Sequence, residues 1–522
     1  MTPMNACYPL FSIEEARFYE TSILENDSGR TATAMEAAGR AIGAQILADY
    51  EEIRPWPASP LIWVLGGKGL NTGDALVACE RLHETLPGLR VKLVTTAPEE
   101  DWNPLAKEVL DRLGTRLGEA FGTCPAEAFV AADPEGGDVV IDGLYGLGFR
   151  PPLKEPVAAL LKAVNQRGDI RMRVAVDIPS GIGETADENC FRADFTCIPG
   201  VAKAPAFAPA HAGAVGRIRF LEIEPFLRQE GKAAAGQTLV ASPSLYQEIN
   251  TIRPAGSDKR SFGHGLVLAG SPGMPGAAIM AVMGALGAGA GLVTGLVPAS
   301  VSGGAAGVLP EAMWQPMPIR TGGGLDVGTV GLVSELSGKA SAILIGPGLN
   351  TDRSTSFVVC RIVRETPLPV VLDASALTHE VVSAILGRRL DAAPVVLTPH
   401  RGECARLLGK NEDPDDEAAL LRFCQKYRVV MVLKGSPTLV CDKERCIRVP
   451  AGGPVLARGG SGDILAGMLL TLLGQEPGDA LRAALRAVTW HGAAADSLAR
   501  ESGAVAVRTT DLIGHLSTSL RN

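Results

Sequence analysis

The sequence predicts an α/β protein of two tandem three-layer domains, and three observations carry that prediction. At 522 residues the chain is too long for one core. Its composition, 46% apolar and 20% charged with 61 glycines, is that of an enzyme-like globular chain. From Leu61 onward, apolar strand segments alternate with helical stretches, which is the pattern of βαβ units and parallel sheets.

The elements follow in order. The amphipathic segment Phe11–Tyr50 is expected to be helical, followed by strands at Leu61–Leu65, Arg90–Thr95, Asp138–Asp142, Arg173–Asp177 and Arg217–Ile223, with a helix over Ala75–Leu86. Gln229–Gly236 is small, polar and without apolar period, so it reads as a linker between domains 1–228 and 237–522. A second series begins with strands at Gly265–Ala269, Gly291–Val297, Ser341–Ile345, Pro369–Asp373, Pro394–Leu397 and Val429–Leu433. Ala277 to Val297 carries no charge and is long enough to span a bilayer. Five internal glycines and flanking Pro275 and Pro298 divide it instead into a buried helix and a short strand, so no membrane partner is expected.

Net charge is −8 with no lysine/arginine block, which argues against a nucleic-acid surface. The ten cysteines show no CxxC pair and no Cys/His cluster, so neither a zinc site nor a disulfide framework is indicated. The N-terminus lacks a basic stretch leading into an apolar run, and a cytoplasmic location is expected.

The most informative stretch is Gly459-Gly460-Ser461-Gly462-Asp463, opening into the apolar run Ile464–Leu470. Glycines ahead of an apolar helix present free backbone N–H groups at its N-terminus, an anion site by geometry and by dipole. A carboxylate at the first helical position, Asp463, is placed to take a proton from a hydroxyl attacking a phosphoryl group. The other polar motifs of this half also fall at strand ends: Gly270–Ala277, Gly346–Leu349, Asp373–Leu377, Thr398–Glu403 and Lys434–Thr438. Taken singly, His400 also fits a turn cap and Lys434 a solvated strand-end lysine, while His264, His491 and His83 read as structural.

In this order the set resembles the ribokinase-like fold and, within it, the ADP/ATP-dependent NAD(P)H-hydrate dehydratases, across roughly Lys259 to the C-terminus. Lys259–Gly265, Leu309–Met313 and Trp490-His491-Gly492 look like that family as well. The resemblance implies that Lys434, Gly435, Ser436, Pro437, Thr438, Gly460, Ser461 and Gly462 contact the nucleotide. It implies that Ala277, Gly348, His400 and Asp463 contact the hydrated nicotinamide. The family phosphorylates the C6 hydroxyl of the hydrate and then loses phosphate, with Asp463 as base, ADP or ATP as co-substrate and Mg²⁺. Ser375 stands where the family commonly has Asp, Gly453 where it has Asn, and Arg458 where it has a small residue.

In the first half, Leu61–Leu65 leads to Gly66-Gly67-Lys68-Gly69-Leu70-Asn71-Thr72-Gly73-Asp74, a second strand–glycine loop–helix cradle. Asp138–Asp142 runs into Gly143–Gly148, and Val174–Val176 into Asp177–Gly181. Three strand ends thus bring Asn71, Asp142, Asp177 and Ser180 towards one cleft, a hard-oxygen set suited to an alkali or alkaline-earth ion. With Met35–Arg40, the combination resembles the NAD(P)H-hydrate epimerase family across roughly Phe11–Phe226. By that resemblance Asn71, Asp142 and Ser180 bind K⁺, and Asp74, Gly146, Leu147, Gly148 and Asp177 hold the hydrate, with Asp177 moving protons at C6. Leu70, Thr72, Ala75 and Ala37 depart from the family's loop and helix motifs. Thr72 would restrict a position where glycine is needed for positive φ, so weak epimerisation is expected. The two families occur fused, which makes a bifunctional hydrate-repair enzyme the reading, with a homo-oligomer expected. The alternative is a small-molecule kinase whose first half is a non-catalytic binding domain.

Overall fold

The computed structural model describes residues 7–132, 134–227, 238–389, 391–410 and 412–521. These divide into two compact units, one of residues 8–227 and 499–504, the other of residues 7, 238–498 and 505–521. The expected linker, 229–236, lies outside the described residues.

In the first unit the strands are β1 (Cys7–Phe11), β2 (Leu61–Gly66), β3 (Arg90–Thr95), β4 (Phe121–Pro125), β5 (Val139–Gly143), β6 (Met172–Val176), β7 (Phe195–Pro199), β8 (Ala202–Lys203) and β9 (Arg217–Leu221). Seven of them form a parallel sheet in the order β4-β3-β2-β5-β6-β7-β9. Every residue of β2 and β5 is buried, as befits central parallel strands covered on both faces. β1 pairs in parallel with β8, Leu10 opposite Ala202. The expected helix over Phe11–Tyr50 is two helices, Ile13–Leu24 and Ser28–Tyr50. Glu25 and Asn26 break it with φ of 52° and 54°, and Asp27 caps the second helix by accepting from Arg30 N.

The second unit holds β10 (Leu239–Ala241), β11 (His264–Leu268), β12 (Leu292–Pro298), β13 (Met313–Met317), β14 (Ala342–Ile345), β15 (Val370–Leu372), β16 (Val395–Leu397), β17 (Val430–Leu433), β18 (Thr438–Cys441) and β19 (Cys446–Val449). Their order is β13-β12-β11-β14-β15-β16-β17-β18-β19-β10, parallel from β13 to β17 and antiparallel through β18 and β19. The uncharged stretch 277–297 contributes the helix Pro275–Gly287 and strand β12. Among the described residues no helix is long and apolar enough to cross a membrane. The helix Pro275–Gly287 packs on the helix Ser461–Gln475 through glycines: a Cβ at Gly284 would lie 2.2 Å from Ile464 O, and one at Gly467 1.9 Å from Ala281 O.

One expectation is corrected here. Cys441 and Cys446 face each other across β18 and β19 and are joined by a disulfide. Five residues apart and outside any CxxC spacing, they become neighbours only when the hairpin closes.

Candidate active sites

In the second unit the candidate site is built at the carboxyl ends of the parallel strands. Helix Ser461–Gln475 is capped by Gly460, whose φ of 92° only glycine adopts freely and which has no side chain to satisfy the terminus. Its first-turn N–H groups are therefore left for a ligand, whereas Asp352 and Asp416 accept from the first turns of their own helices. Asp463 is the third helical residue, not the first as expected, because the turn starts at Ser461. Burial, then the charge of Asp373, push its carboxyl up to about 7, against the opposing pull of Lys434.

Asp373, at the end of β15, is buried and accepts from Lys434 Nζ at 2.8 Å and from Thr398 Oγ1 at 2.7 Å. A Cβ at Gly462 would lie 3.3 Å from Lys434 Nζ, so the lysine reaches the cradle itself. Lys434 begins the turn Lys434–Thr438, which Thr438 Oγ1 closes by donating to Gly435 O at 3.0 Å. Ser461 Oγ donates to Leu456 O at 2.7 Å. Ala277 lies in the first turn of its helix, and a Cβ at Gly348 would lie 2.9 Å from its own Cβ. His400 caps helix Arg401–Leu408, Nδ1 accepting from Gly402 N at 3.0 Å and Glu403 N at 3.2 Å, and it is tied to Lys434 by a parallel bridge. His491 is buried, and burial pushes its imidazole down to about 4, so it is neutral beside Ser461. Its Nε2 is buried without a hydrogen-bond partner among the described residues, so it is not the satisfied structural histidine expected.

In the first unit, helix Leu70–Thr85 begins at Gly69, again without a side-chain cap. Asp142, at the end of β5, is fully buried; its carboxylate accepts from Ser180 N at 2.7 Å, Ser180 Oγ at 2.7 Å and Leu144 N at 3.2 Å. Burial pushes it up to about 6. Asn71 Nδ2 donates to Val176 O at 3.3 Å and Tyr145 O at 3.4 Å, beside Gly146, where a Cβ would lie 2.8 Å from Asn71 Oδ1. Asn71, Asp142 and Ser180 therefore share one site. Among the described residues Asp142 has no cationic partner, so a buried carboxylate lacks its counter-charge there. Arg17 Nη2 donates to Leu147 O at 2.6 Å, fixing the Gly146–Gly148 turn.

Asp177 ends β6 in the left-handed region, φ 70°, with its N–H donating to Cys197 O at 2.7 Å. Lys203, at the end of β8, lies 2.5 Å from Asp177 Oδ1 and 2.9 Å from Glu20 Oε1. Neither Lys203 nor Glu20 was expected in the site. Burial, then the charge of Asp177, push the carboxyl of Asp74 well above the ordinary carboxylate range.

The departures expected to weaken this unit are built in differently. Thr72 lies within the helix rather than at a left-handed position, so no glycine is required there. It is buried, and its hydroxyl lies 2.9 Å from Gly67 N, 2.9 Å from Gly67 O and 3.0 Å from Gly143 O.

A family model described as NAD(P)H-hydrate dehydratase matches residues 265–518, and one described as YjeF-related protein N-terminus matches residues 31–204. The chain is 32% identical over 491 residues to the bifunctional NAD(P)H-hydrate repair enzyme Nnr of Moorella thermoacetica, covering 89% of this chain and 88% of that one. It is 35% identical over 482 residues to the enzyme of that name from Gloeobacter violaceus, covering 89% of each. A crystal structure of the ADP/ATP-dependent NAD(P)H-hydrate dehydratase of Bacillus subtilis, co-crystallised with ATP and Mg²⁺, aligns with 56% of this chain and 99% of that one, at 29% identity and a TM-score of 0.46.

Proposed function

The chain belongs to the bifunctional NAD(P)H-hydrate repair enzymes, and from that premise we propose that its second unit dehydrates the S epimer of hydrated NADH or NADPH at the expense of ADP or ATP, while its first unit interconverts the R and S epimers. The observation that carries the first part is the carboxyl of Asp463 on the uncapped helix end, beside Lys434. Asp463 takes the proton of the C6 hydroxyl, and the hydroxyl oxygen forms its bond to the terminal phosphorus as the bond to the leaving nucleotide breaks. The N–H groups following Gly460 and the ammonium of Lys434 hold the charge on the transferring phosphoryl. Phosphate then leaves C6 with the bonding pair, a proton is lost from C5, and the C5=C6 double bond restores the reduced nicotinamide. Lys434–Thr438 holds the nucleotide, and Ala277, Gly348 and His400 hold the hydrated ring.

Among the described residues no group of three or more His, Cys, Asp or Glu side chains is placed to hold a metal ion. Mg²⁺ bound to the nucleotide's phosphates would supply charge neutralisation there. In the first unit the buried, uncompensated Asp142 fits a K⁺ ion held with Asn71 and Ser180. When bound, that ion supplies positive charge beside the substrate turn Gly146–Gly148, while Asp74 and Asp177 handle the proton at C6.

The test is recovery of reduced-nicotinamide absorbance from each purified epimer with protein, Mg²⁺ and K⁺, with and without ADP or ATP. The S epimer should be consumed only with nucleotide, and the R epimer faster than it epimerises spontaneously. A stable phosphorylated product without recovered absorbance would mean a small-molecule kinase instead.

A further inference from the structure

The first unit buries an ammonium among three carboxyl groups, and only two of the three were expected in its site. Lys203 is 3% exposed, with Asp177 Oδ1 at 2.5 Å and Glu20 Oε1 at 2.9 Å. Asp74 completes the group on helix Leu70–Thr85, close enough for the charge of Asp177 to act on it. Three carboxylates around one buried ammonium carry two negative charges more than they need, so one carboxyl keeps its proton. Lys203 decides which. Burial raises Asp177 as well, but Lys203 touches Asp177 and Glu20 directly and opposes that rise by charge and hydrogen bond, whereas on Asp74 it acts by charge alone, with no ion pair between them among the described residues. Burial opposes the charge on Lys203, yet Asp177 and Glu20 outweigh it and hold the ammonium above its ordinary value. The left-handed backbone at Asp177 supports the same reading, since a strained non-glycine position persists only where surrounding contacts hold it.

We propose that Lys203 is a positioning residue for epimerisation, holding Asp177 as a carboxylate against Glu20 and leaving Asp74 as the neutral acid. This rests on the epimerase reading of the first unit. Asp74 gives its proton to the C6 hydroxyl. The C6–O bond breaks, its electron pair leaving with the oxygen as water, and the lone pair of ring nitrogen N1 closes a C6=N1 double bond. Water adds to C6 from the opposite face, the C6=N1 pair returns to nitrogen, and Asp177 takes the proton that water releases. The R-to-S passage leaves the proton on Asp177, and it returns to Asp74 through water before the next R epimer reacts, so atoms and charge balance over the cycle with no further reactant.

Two measurements on the full-length protein test this. The first is the rate of R-epimer conversion relative to S-epimer dehydration in K203M, K203R and E20Q, the chain's own second unit serving as internal standard. The ratio should fall roughly a hundredfold in K203M, with the loss in kcat rather than KM, recover partly in K203R, and fall least in E20Q. The second is the infrared carboxylic-acid C=O band at neutral pH, which needs no turnover. Beside the carboxyl of Asp463, wild type should show a protonated carboxyl that is absent in D74N. K203M should gain a second, absent in K203M/D177N. An unchanged ratio in K203M overturns the proposal, and so does a lost ratio without the new band, which would make Lys203 merely structural. Wild-type protein that converts the R epimer no faster than the spontaneous rate would defeat the epimerase reading, and the charge assignment would then stand or fall on the infrared bands alone.

Discussion

Each unit places a lysine on one aspartate and leaves a second aspartate beside it without one: Lys434 on Asp373 beside Asp463, and Lys203 on Asp177 beside Asp74. The difference is access. Lys434 is 23% exposed and binds one carboxylate, so it keeps donors for an arriving phosphate. Lys203 is 3% exposed and already serves two carboxylates, which fits it to hold charge in place rather than to bind an anion. The neighbouring aspartates differ accordingly. Asp463 sits near about 7, poised to exchange a proton at physiological pH, whereas Asp74 is pushed well above the ordinary range and favours the acid form. One arrangement thus suits a base in phosphoryl transfer and the other an acid–base pair at a single carbon.

The largest expected effect breaks the comparison at its second-unit end. Asp463→Asn should lower nucleotide-dependent dehydration of the S epimer by roughly a hundred- to ten-thousand-fold. Calorimetric nucleotide affinity should hardly change, because the asparagine keeps the helix and its N–H groups. Turnover within a few-fold of wild type would remove Asp463 from the role of base.

Both cradles were legible in the sequence because their signals are local. Gly459–Asp463 and Gly66–Asp74 each announce a glycine loop opening a helix within a dozen residues, and the expected strands are short apolar runs that the structure reproduces within two residues. The strands that escaped notice are of another kind. β4 is hardly buried, with exposed Thr123 and Pro125, and β13 exposes Met313 and Pro316, so neither shows an apolar run. β18 and β19 take their identity from pairing with each other. Lys203 was missed for a related reason. It lies in the small, uncharged run Gly200–Pro209, and its partners are 26 and 183 residues away. A lone lysine in such a run is the one local sign available, because an unpaired ammonium there could not be buried. The register of Asp463, two positions further into the helix than expected, is finer than a glycine pattern resolves.

Stability gives the second test. Lys434→Met strands Asp373 and should cost the second unit about 2–4 kcal/mol, with weakened nucleotide affinity. Lys203→Met strands two carboxylates and should cost the first unit at least as much, with nucleotide affinity untouched. Differential scanning calorimetry beside nucleotide titration separates the two. Equal weakening of nucleotide binding in both variants would erase the distinction between an accessible and a saturated lysine.

A smaller effect concerns pH. Because the carboxyl of Asp463 is raised to about 7, its base form is lost as pH falls, so S-epimer dehydration should rise with pH and level off above about 7. The sign for stability is opposite. Between about 4 and about 7 the folded state binds more protons than the unfolded one, so this group lowers stability as pH rises. Asp463→Asn should therefore raise the melting temperature at pH 8 by a few degrees, on the order of 1 kcal/mol after allowance for solvent screening, and the gain should vanish near pH 4. A gain that is the same at both pH values would show that burial of this carboxyl is not its source.

The smallest effect decides whether the departures in the first cradle matter. The family's loop has amide and glycine positions where this chain has Leu70 and Thr72, which on sequence grounds predicts weak epimerisation. In the structure Thr72 is helical, fully buried and bonded to both Gly67 and Gly143, so it ties the loop after β2 to the end of β5. Leu70 packs against the core between the sheet and helix Ser28–Tyr50. Replacing them to match the family should loosen this cradle. Thr72→Gly removes the hydroxyl and adds a glycine to a helix, together costing about 2–3 kcal/mol. The paired variant L70N/T72G should unfold at lower temperature and convert the R epimer no faster than wild type, with S-epimer dehydration as the internal reference. A tenfold rise in R conversion would show that the loop chemistry, rather than the charge arrangement around Lys203, limits the first unit.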